Sequence, residues 1–208
     1  MSSWGHRSPK SNNAQSFIMI FLMLFSSFAV YAVKDMAVGP TILEDNNGVM
    51  YDGDFNDAEM VKDISPGSSN GPGDIPFTAA GSTLYFSAYD GTNGYELWKS
   101  DGTSSGTAMV KDIWAGSSSS APSLLTAVGN TLYFSASGLG GTSGTELWKS
   151  DGTPGGTVIV KEIWPGSGSS DPSELTVVGS TLYFSASDNT NGTELWKSDG
   201  TSAGTVMV

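Results

Sequence analysis

The residues of this chain with chemistry to offer come in registered copies. Glu96, Trp98 and Asp101 stand in the octapeptide ELWKSDGT at residues 96–103, and the same eight letters return at 146–153 and 194–201. Asp112 follows in a VKDI string at 110–113, matched by VKDI at 61–64 and VKEI at 160–163. Two acids at a fixed separation are the machinery of glycoside hydrolysis, one as acid and the other as nucleophile or base. Such a pair works at one asymmetric site, whereas these acids recur copy after copy, so the pattern argues against an enzyme. Other catalytic routes are excluded more directly. The sequence has no cysteine and one histidine, His6 in the N-terminal lead. A Ser-His-Asp triad, a cysteine nucleophile and a zinc site of His and Cys therefore cannot be assembled from the rest of the chain. A Gly-rich phosphate loop with its Lys-Ser/Thr partner is missing as well.

The stretch DGDFND at 52–57 suggests a different chemistry. Asp52, Asp54 and Asn56 follow the alternate spacing of a D-x-D-x-N loop, which turns successive oxygens on to one calcium ion. Asp57 stands where such loops carry glycine, and Asp63 where they end in glutamate. In the octapeptide copies the aligned loops keep little more than the leading acid. There Asp101-Gly102, Asp151-Gly152 and Asp199-Gly200 read as turns, with the carboxylate capping backbone N–H groups two residues on and glycine at positive φ. The strand tryptophans Trp98, Trp148 and Trp196 read as core between neighbouring sheets. Trp114 and Trp164, just past a strand where a loop begins, are candidate platforms for a glycan or protein ligand.

The elements that must hold these residues follow from the repeat. LYFSA recurs at 84–88, 132–136 and 182–186, in step with the octapeptide, giving a unit of roughly 49 residues. In the second copy LLTAV and TLYFSA flank the two-residue turn Gly129-Asn130. TELWKS follows the Gly-rich loop SGLGGTSG, and GTVIVKEI supplies a fourth strand. No helical period occurs in the unit. Leu132 and Phe134 point to one face and Tyr133 to the other, and Leu147 opposes Trp148. Strands apolar on both faces must be covered on both. The expected fold is all-β: tandem four-stranded antiparallel modules forming a partial β-propeller or a stacked-sheet array. The modules run at about 66–114, 115–164 and 165–208, after an orphan fourth strand at 58–64 and a linker at 33–57 that carries the candidate calcium loop. Within the octapeptide, Glu and Lys read as strand-surface groups. Three blades fall short of the roughly four that close a propeller, so further repeats or other copies are expected to complete the array.

With Glu96, Leu97, Trp98, Asp101, Gly102 and Thr103 in place, and both later copies intact, residues 58–208 resemble the bacterial-type ELWxxDGT repeat family. The resemblance implies an extracellular, propeller-like array with no general biochemical activity attached to it.

Arg7 and Lys10 precede the apolar run FIMIFLMLF at 17–25, and Val30 and Ala32 supply small residues before a cleavage point. Residues 1–32 are thus expected to be a secretory signal peptide, with a signal anchor over 17–33 as the alternative. Removing that lead leaves seven lysines against 21 acids, a formal charge of −14, with no histidine, arginine or cysteine. Such acidity disfavours nucleic acid and anionic membrane surfaces, both of which need clustered cations. The expectation is a secreted or cell-surface adhesion-type module that binds protein or glycan and is stabilised by calcium. A purely structural spacer is the alternative, and a carboxylate-dependent glycoside hydrolase a more remote one.

Overall fold

The computed structural model describes residues 58–67, 71–73, 75–138 and 143–208, together with three short strands before them: β1 (Val30–Val33), β2 (Ile42–Glu44) and β3 (Met50–Asp52). The chain divides into two units, and Met60–Val208 belongs to the second. In the first unit β2 and β3 form an antiparallel pair with Leu43 opposite Tyr51. β1 and β4 (Ala58–Lys62) form a separate two-stranded sheet.

The second unit is built from three four-stranded antiparallel sheets, and no helix occurs among the described residues. The first sheet runs through β5 (Thr78–Ala80), β6 (Thr83–Tyr89), β7 (Tyr95–Ser100) and β8 (Ala108–Lys111). The second comprises β9 (Ser123–Val128), β10 (Thr131–Gly138), β11 (Ser143–Ser150) and β12 (Val158–Lys161). The third comprises β13 (Ser173–Val178), β14 (Thr181–Asp188), β15 (Gly192–Ser198) and β16 (Val206–Met207). Strands pair in chain order within each sheet, and none of the sheets closes into a barrel. The expected all-β tandem of four-stranded modules is therefore the observed fold.

Register repeats with the sequence. Phe86 faces Trp98, Phe134 faces Trp148 and Phe184 faces Trp196, while Ala88, Ala136 and Ala186 face the three octapeptide glutamates. The β9–β10 connection is the two-residue turn foreseen at Gly129-Asn130, with Gly129 at φ 61°. A side chain is strained there, which is why each copy places glycine at this point.

The two faces of each strand are covered as their double apolar pattern requires. Leu132, Phe134 and Trp148 of the second sheet pack with Tyr85, Leu97 and Val110 of the first. Tyr133, Leu147 and Val160, on the opposite face, pack with Leu182, Phe184 and Trp196 of the third. Phe134, Leu132, Leu147 and Leu182 are all fully buried, each worth about 1.5–3 kcal/mol relative to exposure. The sheets also meet at their first strands, where Thr78 Oγ1 of β5 donates to the Leu125 carbonyl of β9 at 3.0 Å.

Candidate functional site

The octapeptide divides into a turn, a latch and a set of contacts across the sheet stack. In the turn, Asp101 Oδ1 accepts from the Thr103 N–H at 2.9 Å and from Thr103 Oγ1 at 2.8 Å. Thr103 Oγ1 accepts in turn from the Gly106 N–H at 2.9 Å, and Thr107 Oγ1 donates to the Thr103 carbonyl at 2.7 Å. The same bonds hold Asp151 to Thr153 and Asp199 to Thr201. Gly102, Gly152 and Gly200 lie at φ 88°, 86° and 89°. The threonine hydroxyl and N–H hold each of these aspartates below the usual carboxylate range. One carboxylate oxygen is thus committed to the turn, and no group of three or more His, Cys, Asp or Glu that could hold a metal occurs among the described residues.

The latch is Glu96, and it overturns the expectation of a strand-surface group. Glu96 and Glu146 are fully buried. Glu96 accepts from the Ile113 N–H at 3.0 Å, the Trp114 N–H at 3.4 Å, the Ser120 N–H at 2.9 Å and Ser120 Oγ at 2.6 Å. Glu146 accepts from Ile163, Trp164 and Ser170 Oγ at 3.1, 3.2 and 2.6 Å. Each carboxylate thereby ties the third strand of its module to the segment leaving the fourth. Burial pushes both acids up, while the Ser120 or Ser170 hydroxyl and the backbone donors pull the other way. Ser120 and Ser170 are functional parts of the latch that motif reading missed. Each follows its glutamate by 24 residues, a regularity visible only once the glutamate is known to be buried.

Lysine is likewise not a free surface group in the first two copies. Lys99 Nζ donates to the Gly152 carbonyl at 2.8 Å and Lys149 Nζ to the Gly200 carbonyl at 2.7 Å, each reaching the turn of the next module. Lys62, Lys111 and Lys161 donate in the same way to the Thr107, Thr157 and Thr205 carbonyls. The tyrosines of the first two LYFSA strings cross the same boundary, so a Cβ built on Gly152 would stand 2.5 Å from Tyr85 Oη, and one built on Gly200 would meet Tyr133 Oη. Burial raises the Tyr85 and Tyr133 hydroxyls, and the negative charge of Asp151 or Asp199 beside them adds to the rise.

Trp98, Trp148 and Trp196 are buried between sheets, and the Trp148 and Trp196 indoles donate to the Ala136 and Ala186 carbonyls at 3.0 and 3.1 Å. Trp114 and Trp164 are half-buried at the start of the connecting segments, with their backbone N–H groups held by the latch glutamates. The Trp164 indole lies directly over Gly168. Of the candidate calcium loop, Asp52 ends β3, while Asp54 and Asn56 lie outside the described residues, as does most of the 1–32 lead. No helix among the described residues is long and apolar enough to cross a membrane. Comparison of the chain with protein-family models, with curated proteins and with solved structures finds no match.

Proposed function

We propose that this chain is a secreted or cell-surface repeat module of the ELWxxDGT kind, a propeller-like array that binds protein or glycan rather than transforming it. The observation that carries the reading is the contrast between two sets of tryptophan. Trp98, Trp148 and Trp196 are consumed as core, whereas Trp114 and Trp164 remain half-buried at equivalent points of successive modules. Their backbone is fixed by a buried carboxylate, which suits a rigid stacking platform for a repeating polymer. The convergence of first strands at the Thr78–Leu125 bond supports a radial, propeller-like arrangement of sheets. Against the hydrolytic alternative, Glu96 and Glu146 have no exposed surface and are ringed by donors, so neither can approach a glycosidic bond.

Glycan and extracellular-protein arrays probed with the secreted chain test this reading. Binding that is lost in Trp114→Ala and Trp164→Ala, with the thermal melt retained, supports it. Arrays that stay silent favour the structural spacer, a reading to which the internal use of the motif's lysines and glutamates lends weight. Calcium would occupy Asp52, Asp54 and Asn56. Titration calorimetry with calcium, compared between the parent chain and Asp54→Ala, tests that part, and an absence of heat in the parent removes it.

A further inference from the structure

The two segments that carry Trp114 and Trp164 leave their modules along one backbone path. In the first, the Trp114 N–H donates to Glu96, the Tyr95 N–H donates to Ser119 Oγ at 2.9 Å, and the Ser118 carbonyl lies against Gly94. In the second, the Trp164 N–H donates to Glu146, the Thr145 N–H donates to Ser169 Oγ at 2.9 Å, and the Gly168 carbonyl lies against Gly144. Each segment runs between two described modules and is pinned on both sides of its loop. Positions 118 and 168 therefore occupy the same place in successive copies.

What fills that place differs. At 168 the residue is glycine, and the pyrrole ring of Trp164 takes the space of the absent side chain: a Cβ built there would fall inside van der Waals contact of Cγ, Cδ1 and Nε1. At 118 the residue is serine, whose own Cβ fills the space, so the Trp114 indole is excluded from it. A second difference acts in the same direction. Gly116 and Gly166 both lie at positive φ, 94° and 85°, but Ala115 precedes the one and Pro165 the other. The proline ring fixes a backbone angle that alanine leaves free, so less order remains to be imposed when a ligand binds. Trp164 is thus the more pre-organised of the two half-buried tryptophans.

A tryptophan laid flat on its own backbone does not protrude as the anchors that fill pockets on protein partners do. It is a platform, with one side of its ring covered by Gly168. The charge of the chain narrows what can lie on it. With 21 acids against nine lysines and arginines, and with Lys149 and Lys161 committed to carbonyls, a polyanion is disfavoured. We propose that Gly168 is a positioning residue that makes Trp164 the principal subsite for a neutral saccharide, the indole lying on the apolar face of a pyranose ring, and that Ser118 denies Trp114 that role. This rests on the binding role proposed above and ranks its two tryptophans.

Fluorine NMR of the chain labelled with fluorotryptophan, its resonances assigned by Trp114→Phe and Trp164→Phe, tests the proposal during titration with cellohexaose and chitohexaose. Gly168→Ser installs the residue that the first copy already carries, so it keeps the parent's circular dichroism and melt. It is expected to move the Trp164 resonance and to leave that of Trp114 in place. In the parent, sugar shifts the Trp164 signal at lower concentration than the Trp114 signal. Gly168→Ser weakens binding about 10-fold, and Trp164→Ala weakens it more than Trp114→Ala does. A Trp164 signal that Gly168→Ser leaves unmoved overturns the positioning role. Equal affinity in the parent and Gly168→Ser, or a loss in Trp114→Ala as large as in Trp164→Ala, overturns the ranking while the binding role stands. A parent that binds neither sugar, with its Trp164 signal still moved by Gly168→Ser, removes the saccharide reading and this subsite with it.

Discussion

A glutamate with no exposed surface must be compensated by donors, and Glu146 has them from Ile163, Trp164 and Ser170. Truncating it leaves those groups buried and unpaired, so Glu146→Ala is expected to cost about 3 kcal/mol or more in urea unfolding. Glu194→Ala, at an exposed copy of the same letter, is expected to change stability by less than about 0.5 kcal/mol. The pH dependence follows from the direction of the shift. Burial raises Glu146 above its ordinary 4.5, so the folded state favours the protonated acid. Its stabilising contribution is full below the unfolded value and is lost as pH rises through the folded one. Glutamine does not titrate and resembles the protonated acid in shape. The deficit of Glu146→Gln relative to the parent is therefore expected to shrink as pH rises from about 4 to about 8. Asp101, Asp151 and Asp199, held low by their threonines, run in the opposite sense, adding stability above 3.8 that is lost as pH falls. They are common to both proteins and cancel in the difference. A deficit that instead grows with pH would show that the donors, not burial, govern the carboxyl group.

Between modules, one close joint is the turn of one module under the tyrosine of the one before. Gly102 and Gly152 share nearly the same backbone, at φ 88° and 86°, so alanine at either is strained by about 1 kcal/mol. Space separates them: a Cβ at 102 meets nothing within 4 Å, while at 152 it stands 2.5 Å from Tyr85 Oη. Gly102→Ala is expected to cost about 1 kcal/mol and Gly152→Ala about 3 kcal/mol, because the second also forces the sheets apart. Adding Tyr85→Phe to Gly152→Ala recovers part of the excess, read as the shift in urea midpoint. Equal losses at the two glycines would place the turn outside the interface. This joint also marks how far the sequence could be read. Strand order, the turn at Gly129 and the opposed faces of Leu147 and Trp148 follow from period-two patterning and glycine, which are local. The roles of Glu96 and Lys99 were not legible. Their partners lie in another strand's exit segment or in another module, at separations of 24 and 53 residues, and a polar letter on a strand does not say which face a neighbour covers. Trp114 and Trp164 were placed at loop entrances, and they occupy half-buried positions there.

At the level of the whole stack, stability should be a sum of module terms and nearest-neighbour interface terms. The second module is covered on both faces by the first and third, through Phe134 and Trp148 on one side and Tyr133 and Leu147 on the other. Among the described residues the third is covered on one face only, and its last two strands expose Leu195, Val206 and Met207. Leu147 and Leu195 are the same position of the repeat, fully buried in one module and open in the other, which isolates the interface from the module. Leu147→Ala is expected to cost about 2–5 kcal/mol through lost contacts and a cavity. Leu195→Ala is expected to cost less than about 1 kcal/mol. Native-state hydrogen exchange should then grade along the stack. Amides of β10 and β11 exchange only through global opening, while those pairing β15 with β16 open with a free energy lower by at least about 2 kcal/mol, roughly a 30-fold faster exchange. In Leu147→Ala the gap widens, because the third module loses its single interface while the first two keep theirs. Uniform protection across all three sheets, unchanged by Leu147→Ala, would mean that the stack unfolds as one cooperative body and that its interfaces are not the separable units their repetition implies.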